Sequence, residues 1–340
     1  MNFALGLDVH KETTAYAIVN GEGHIQRKGE IKTNPKLCLD LVSWLPASAV
    51  QIGMEASTYI YPLYDALNDA GYKVKVAHPA KLHRITKSVI KHDDKDAKDI
   101  ALQLLRNDFP ESYMLSKEMR DKREIIRLHL KITQEQTAIK NRIYSLLARH
   151  NCRLPCKLES IKSIQMLSDI QLPQDARITL SLLTEQLNKT KSQLKTVNKL
   201  IAQFVNGSEE AQKLMKINGI GSFTAATFLI ELGDWKRFQS VKQLTAYVGM
   251  IPKMSGSAHK MYYGRIRAEG NRKIRYAFGR AAESAIKKEN EFKLFYVKLI
   301  NKGKKRRTAI SAVANKLLRT CYGVLHTQQP TYSGSLMERG

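Results

Sequence analysis

Two hydrophobic periods divide the chain. Over residues 1–110 short apolar runs of strand length alternate with a stretch of helix period. Phe3-Ala-Leu-Gly-Leu-Asp8, Thr14-Ala-Tyr-Ala-Ile-Val19 and Val50-Gln-Ile-Gly-Met-Glu55 read as strands. Tyr61, Leu63, Tyr64 and Leu67 predict a helix stopped near Gly71, and Tyr72-Lys-Val-Lys-Val-Ala77, closed by His78-Pro79, predicts a further strand. Strands alternating with helices imply a mixed α/β sheet. Phe109-Pro110 marks its boundary, because a residue before proline is pushed out of helical geometry.

From residue 111 to 206 the pattern changes to long polar helices. One spans about Lys117 to Arg149, with Ile126, Leu130, Ile139, Ile143, Leu146 and Leu147 among many basic and amide side chains. Beyond Pro155 and Pro173, the positions Leu183, Leu187, Thr190, Leu194, Val197, Ile201 and Phe204 step by alternating fours and threes, a coiled-coil seam with one polar position. That seam serves equally for packing within the chain or for a dimerisation arm. Residues 207–325 are mainly helical, and 326–340 form a tail. Gly219-Ile220-Gly221 lies between two apolar helical stretches, as in a helix-hairpin-helix turn whose glycines let backbone N–H groups approach a phosphate. A tight αα-turn without ligand has the same pattern. A Ser/Gly loop follows over 249–260, then Tyr262-Tyr-Gly-Arg-Ile-Arg267, and Glu269-Gly-Asn-Arg-Lys-Ile-Arg275 opens a helix.

Charge sharpens this division. The chain carries +25 over 340 residues, but residues 1–110 hold 14 Lys/Arg against 13 Asp/Glu, leaving +24 on the remainder. A near-neutral first region joined to a strongly basic remainder fits an enzyme of nucleic acids, with phosphate contacts supplying affinity. The candidate contacts are Gly219, Gly221, Lys260, Arg265, Arg267, Arg272, Lys273 and the run Lys304, Lys305, Arg306, Arg307. No run approaches a membrane span and the N-terminus lacks a signal-peptide pattern, so the expectation is a cytoplasmic protein without membrane partners. Four cysteines make no disulfide scaffold. His150, Cys152 and Cys156 are close in sequence, but no second ligand pair completes a zinc site.

Candidate chemistry lies in four acids. Asp8 and Glu55 end strand-like runs, and Asp93 and Asp96 sit at i and i+3 at the head of a helical segment, on one face. Two strand ends and one helix face can converge on an acidic pocket. Hard divalent cations take oxygen ligands, and a metal pair neutralises the attacking and leaving oxygens of a phosphodiester. Singly, each acid is also an ordinary turn or helix-start residue.

These motifs resemble those of the DEDD-type transposases of bacterial insertion sequences, a group that includes Piv-type site-specific invertases and works with a bridge RNA. The matching pieces are Gly6-Leu-Asp8-Val-His-Lys11, Met54-Glu55-Ala-Ser-Thr-Tyr59 and Asp93-Asp-Lys-Asp96-Ala97, then Ile217-Asn-Gly-Ile-Gly221, Tyr247-Val-Gly-Met-Ile-Pro252, Gly264-Arg-Ile-Arg-Ala-Glu-Gly-Asn271 and Gly303-Lys-Lys305. The resemblance implies an RNase H-like (RuvC-like) mixed sheet over 1–110, a helical coiled-coil segment over 111–206 and a mainly helical transposase domain over 207–325. It assigns Asp8, Glu55, Asp93 and Asp96 to a two-ion Mg²⁺ site that also takes Mn²⁺. It further implies a serine nucleophile, Ser255 or Ser257, and as partners DNA, a guide RNA and a second copy or a tetramer assembled through the helical segment. Where relatives commonly have Gly soon after the glutamate, this chain has Ser57-Thr58. The implied activity is DNA strand cleavage and exchange. A structure-specific nuclease or junction resolvase, an invertase, and a non-catalytic nucleic-acid binder are the competing readings.

Overall fold

The computed structural model describes residues 3–79, 81–82, 93–154, 157–158, 161–257, 260–266 and 269–327, with only the backbone described for 93–95, 161–162, 164, 168, 252–257 and 260–266. The chain divides into two compact units, Met1–Lys117 and Glu118–Gly340.

The first unit is built on strands β1 (Phe3–Val9), β2 (Thr13–Val19), β3 (Ile25–Lys32), β4 (Val50–Glu55), β5 (Lys73–Ala77) and the short β6 (Glu111–Ser112), with helices α1 (Pro35–Val42), α2 (Ile60–Asp69) and α3 (Asp93–Leu105). The sheet order is β3-β2-β1-β4-β5-β6. β1 pairs antiparallel with β2 and parallel with β4, and β5 joins β4 in parallel. This is the mixed sheet expected of an RNase H-like domain. β3 is mostly exposed, which is why its polar sequence Ile25-Gln-Arg-Lys-Gly-Glu-Ile-Lys32 gives little hydrophobic signal. α1 starts where Asn34 caps it, its side-chain oxygen accepting from Lys36 and Leu37 N–H, with Pro35 in the first turn.

The two faces of this sheet differ in side-chain size. On one, Leu5, Leu7, Ile18, Ile52 and Met54 pack with Val42 of α1 and with Ile60, Leu63 and Leu67 of α2 in one buried cluster. On the other, Ala4 and Val19 meet Ala101 and Leu104 of α3, and Ala15 and Ala17 meet its Ala97. Large residues set an ordinary layer spacing; alanines and glycines let α3 sit closer.

In the second unit, α4 (Lys117–Arg149) and α6 (Gln174–Asn206) flank the short α5 (Ile161–Ser168). At 1.5 Å per residue, each 33-residue helix is about 50 Å long. Their apolar stripes bury within the chain: Ile139, Ile143, Leu146 and Leu147 cluster with Ala176, Leu180 and Leu187, while Ile126 and Ile132 share a core with Val197, Ile201 and Val205. The polar seam position Thr190 is buried because its hydroxyl donates to Leu187 O at 2.8 Å. The remaining helices are α7 (Glu209–Met215), α8 (Ser222–Leu232), α9 (Val241–Val248), α10 (Arg272–Ala285), α11 (Glu291–Asn301) and α12 (Arg306–His326), with hairpin β7 (Pro252–Ser257) and β8 (Lys260–Ile266) between α9 and α10. α8 is buried from Thr224 to Leu232 and is the axis of this core, with Phe228 set edge-on to Phe278 of α10 at 5.3 Å. Among the described residues no helix is long and apolar enough to cross a membrane.

One half-buried histidine couples this packing to pH. His129 of α4 stacks on Phe223 of α8 at 4.2 Å, and burial pushes its pKa down against a smaller opposing hydrogen bond to Asn198 of α6. A lowered folded pKa means that the unfolded chain takes up the proton first, so this contribution to stability is complete above the ordinary value of 6.5 and declines as pH falls below it. Melting temperatures of wild type and His129→Gln between pH 7.5 and 5 should therefore converge as pH falls; parallel curves would exclude this coupling.

Candidate active site

Asp8 and Glu55 occupy adjacent strands at one end of the sheet. The parallel register runs through Gly6↔Gly53 and Leu7↔Met54, so the next position sets Asp8 beside Glu55. Side chains two residues apart on a strand share a face, so Asp8 follows Gly6, and Glu55 follows Gly53, onto the α3 side. There the helix rests on bare backbone. A Cβ at Gly6 would lie 1.9 Å from Ala97 O and 2.8 Å from Ala101 N, and one at Gly53 would lie 2.8 Å from Leu104 Cδ1. Ala97 clusters with Ala15, the β2 partner of Asp8, so the first turns of α3, with Asp93 and Asp96, start at the end of the sheet where Asp8 and Glu55 sit. Three elements thus gather the four predicted positions.

The Asp8 carboxylate stands 3.3 Å from Nε2 of His10; the acid is 15% exposed and the imidazole 51%. His10 begins the β1–β2 turn, which is held by Thr33: its hydroxyl donates to His10 O at 2.9 Å, and its N–H to Glu12 O at 2.9 Å. Thr14, fully buried, adds a hydroxyl contact to Thr33 at 2.8 Å. Among the described residues no three acidic, histidine or cysteine side chains already stand at metal-holding distance, and the Asp93 side chain lies outside them. Like-charged carboxylates repel until a cation is placed between them. The donor set itself, carboxylate oxygens on two adjacent strand ends and a helix start, fits a hard divalent cation. The zinc alternative gains nothing: Cys156 lies outside the described residues, and Cys152 only donates to His150 O at 3.4 Å. Burial pushes the Cys38 thiol up to about 12, and Cys321 upward as well, so neither is a ready ligand or nucleophile.

The expected Ser/Gly loop is a β-ribbon. Ser255 pairs with Tyr262 and Ser257 with Lys260, so the two serines occupy alternate positions of β7; residues 258–259 lie outside the described residues. The strand character follows from the β-favouring partner run Met261-Tyr262-Tyr263 of β8. What sequence reading missed is how the ribbon's two stems are locked. Gly249 caps α9 in the left-handed region at φ 76°, and a Cβ there would lie 2.1 Å from Glu269 O; Gly270, at φ 99°, would meet Gly249 N at 2.7 Å. Arg275 binds both stems: its Nη1 donates to Glu269 O at 2.5 Å, Val248 O at 3.1 Å and Gly249 O at 3.4 Å. Asn315 of α12 donates to Met250 O at 2.8 Å. Asn271 caps α10 with its side-chain oxygen and gives its amide to the buried Glu231 at 2.8 Å, which Arg127 of α4 approaches at 3.6 Å. The available sequence signals were Gly249, Gly270 and the helix-cap pattern at Asn271.

The predicted basic contacts separate. Gly219, at φ 92°, is spent on packing, since a Cβ would lie 2.6 Å from Ala285 Cβ and 2.7 Å from Ala281 O of α10. Gly221 opens α8 and faces open space. Arg272 is exposed at the start of α10 with Lys273 half-buried, and Lys304, Lys305, Arg306 and Arg307 are all exposed at the start of α12. Lys260 and Arg265 lie on β8, whose side chains are not described, and Arg267 is outside the described residues.

Comparison with known proteins finds transposases along most of the chain. Residues 5–152 match the DEDD transposase model of IS110, described as a transposase, and residues 211–297 match the transposase IS116/IS110/IS902 family. The chain is 25% identical over 287 residues to the transposase for insertion sequence element IS1111A of Coxiella burnetii, covering 82% of this chain and 78% of that protein. It is 21% identical to a probable family 20 transposase of Pseudomonas aeruginosa, over 83% of this chain and 84% of the relative. A pilin gene-inverting protein of Moraxella bovis is 33% identical over 138 residues, 38% of this chain and 42% of that protein.

The close seat of α3 yields a direct test. Gly6→Ala must displace backbone rather than a flexible side chain, so it should cost about 2 kcal/mol or more and move Asp93 and Asp96 off the strand ends. Its melting temperature should fall by several degrees, and strand-transfer activity should fall further than in a surface variant of equal stability. Wild-type stability in Gly6→Ala would exclude the contact.

Proposed function

Because the chain belongs to the IS110/IS116 family of DEDD transposases, and is thus a DNA recombination enzyme, we propose that it cleaves and exchanges DNA strands through a covalent serine link, with a pair of Mg²⁺ ions on Asp8, Glu55, Asp93 and Asp96. The observation that carries this reading is the pairing of Asp8 and Glu55 on adjacent strands beneath the start of α3. Bound there, divalent ions would supply neutralising charge for the oxygens of the reacting phosphodiester. The chain's own residues do the rest. The carboxylates would hold the ions against which the phosphate is oriented, and His10, 3.3 Å from Asp8, limits the rotamers that carboxylate samples.

In the covalent step, Oγ of Ser255 or Ser257 bonds to phosphorus and the bond from phosphorus to the leaving sugar oxygen breaks. The hydroxyl proton passes to a carboxylate and from it to the departing sugar hydroxyl. One ester replaces another, so the reverse attack by a second strand needs no ATP. A serine hydroxyl is a weak nucleophile, and the reaction therefore requires it held in line with the phosphate. The locked stems of the β7–β8 ribbon support that role. Choice of DNA sequence is delegated to a guide RNA, as the family resemblance implies, with base pairing as the reader.

The pilin gene-inverting relative favours a second reading, in which the same chemistry inverts a segment instead of moving one. A plasmid carrying the flanking DNA ends in both orientations separates the two by the products formed.

Two results are expected. Asp8→Asn and Glu55→Gln should lower strand transfer by at least about a hundredfold with little change in melting temperature, because each removes a ligand and no core contact; near-wild-type activity in either removes the metal site. With labelled cognate DNA, guide RNA and Mg²⁺, denaturation followed by mass spectrometry should find a DNA adduct on β7 that is lost in just one of Ser255→Ala and Ser257→Ala. Efficient recombination by the double variant would leave a plain RuvC-like nuclease as the better description.

A further inference from the structure

A cleft of about 390 Å³ opens between α10 and the first turns of α12. Arg280, Arg306 and Arg307 line it together with Arg275, whose Nη1 also holds the ribbon stems, and so do Gly279, Ile310 and Tyr276, the last 43% exposed. Glu283 and Ser311 complete the lining, and Glu283 accepts from Arg280 at 3.4 Å, which holds that guanidinium at the edge. Four arginines against one glutamate make the cleft strongly attractive to an anion. Two further features describe that anion. No side chain caps the start of α12, so the first-turn N–H groups beside Arg306 and Arg307 add positive potential. Part of the lining, however, is apolar, and it includes the exposed Tyr276, which a bare phosphate does not need.

We propose that this cleft takes one unpaired nucleotide of the nucleic-acid partner, its base against Tyr276 and Ile310 and its phosphate between Arg280, Arg306 and Arg307. A concave site of this size suits a single splayed residue. A duplex keeps its bases stacked inside and could offer only its outer phosphates to the arginines. Gly279 is the structural signature. It sits within a helix, where glycine is unfavourable, and a Cβ built there meets nothing within 4 Å. Helix packing therefore does not require it, whereas any larger side chain would fill the cleft. The proposal rests on the chain being a nucleic-acid enzyme but not on the metal site or the serine.

The test is equilibrium binding by the full chain, measured as fluorescence anisotropy of a labelled oligothymidylate and of a duplex of equal length. Tyr276→Ala should weaken single-strand binding by about 5- to 100-fold, the usual worth of one stacked base, and leave duplex binding within about twofold. Gly279→Phe retains every arginine yet plugs the cleft, so it should reproduce that selective loss. Arg307→Gln should lower the slope of log affinity against log salt for the single strand by about 0.7, one phosphate contact. Equal losses for single strand and duplex in Tyr276→Ala, or wild-type single-strand binding by Gly279→Phe, would overturn the proposal. Tyr276 is exposed and no atom lies within 4 Å of a Cβ built at Gly279, so neither substitution should lower the melting temperature. Because no strand transfer is read, a failure here is distinct from a failure of the recombinase mechanism.

Discussion

The N-terminal unit depends on how closely one helix can approach a sheet. Backbone of α3 lies where the Cβ of Gly6 would be, and its leucine lies where that of Gly53 would be. This contact does two things with the same atoms. It buries the alanine face of β1 and β2 without large side chains, and it sets the helix start level with the ends of two parallel strands. Carboxylates two residues beyond each glycine then inherit the direction of the helix-facing side. Placement of the acids is thus a consequence of packing, and the glycines are as much a part of the site as its ligands.

The C-terminal unit solves a related problem with polar groups. A two-stranded ribbon has little packing of its own and is marginal in water. Here its stems are fixed by partly buried hydrogen bonds: one guanidinium reaches three carbonyls, an asparagine of α12 reaches a fourth, and Asn271 ties the far stem to the buried Glu231. Such bonds are directional, so they fix the ribbon's orientation as well as its presence.

Much of this was legible before the structure, and the reason differs by element. The strands carrying Asp8 and Glu55 are visible as short apolar runs because they are buried on both faces, and the limits of α4, Lys117–Arg149, because burial of one stripe imposes a helical period. β3 and α1 went unread: β3 is an exposed edge strand, and α1 is only two turns long. The ribbon passed for a loop because Ser255-Gly256-Ser257 has weak strand propensity, and its pairing with Tyr262 is set by a distant partner. The Arg275 clamp has no local signature, since it depends on backbone carbonyls of two stems brought together by folding.

Gly219 carries the sharpest lesson about motif reading. The Gly-Ile-Gly pattern is a sound predictor of a tight turn between helices, and the structure has that turn. The physical reason for the first glycine nevertheless lies behind it, in the Ala281–Ala285 face of α10, and not in front, where a phosphate would approach. Glycine marks any place where two groups must come closer than a Cβ permits, and sequence does not say which two. At Gly6 and Gly219 the second group is another helix of the same chain; at Gly221 and Gly279 no protein atom claims the space. Open space alone does not distinguish them, because Gly71, Gly303 and Gly323 also have nothing within 4 Å of a built Cβ; what sets Gly279 apart is that it lines a cleft with four arginines and an exposed tyrosine, which would give an external ligand a reason to stay.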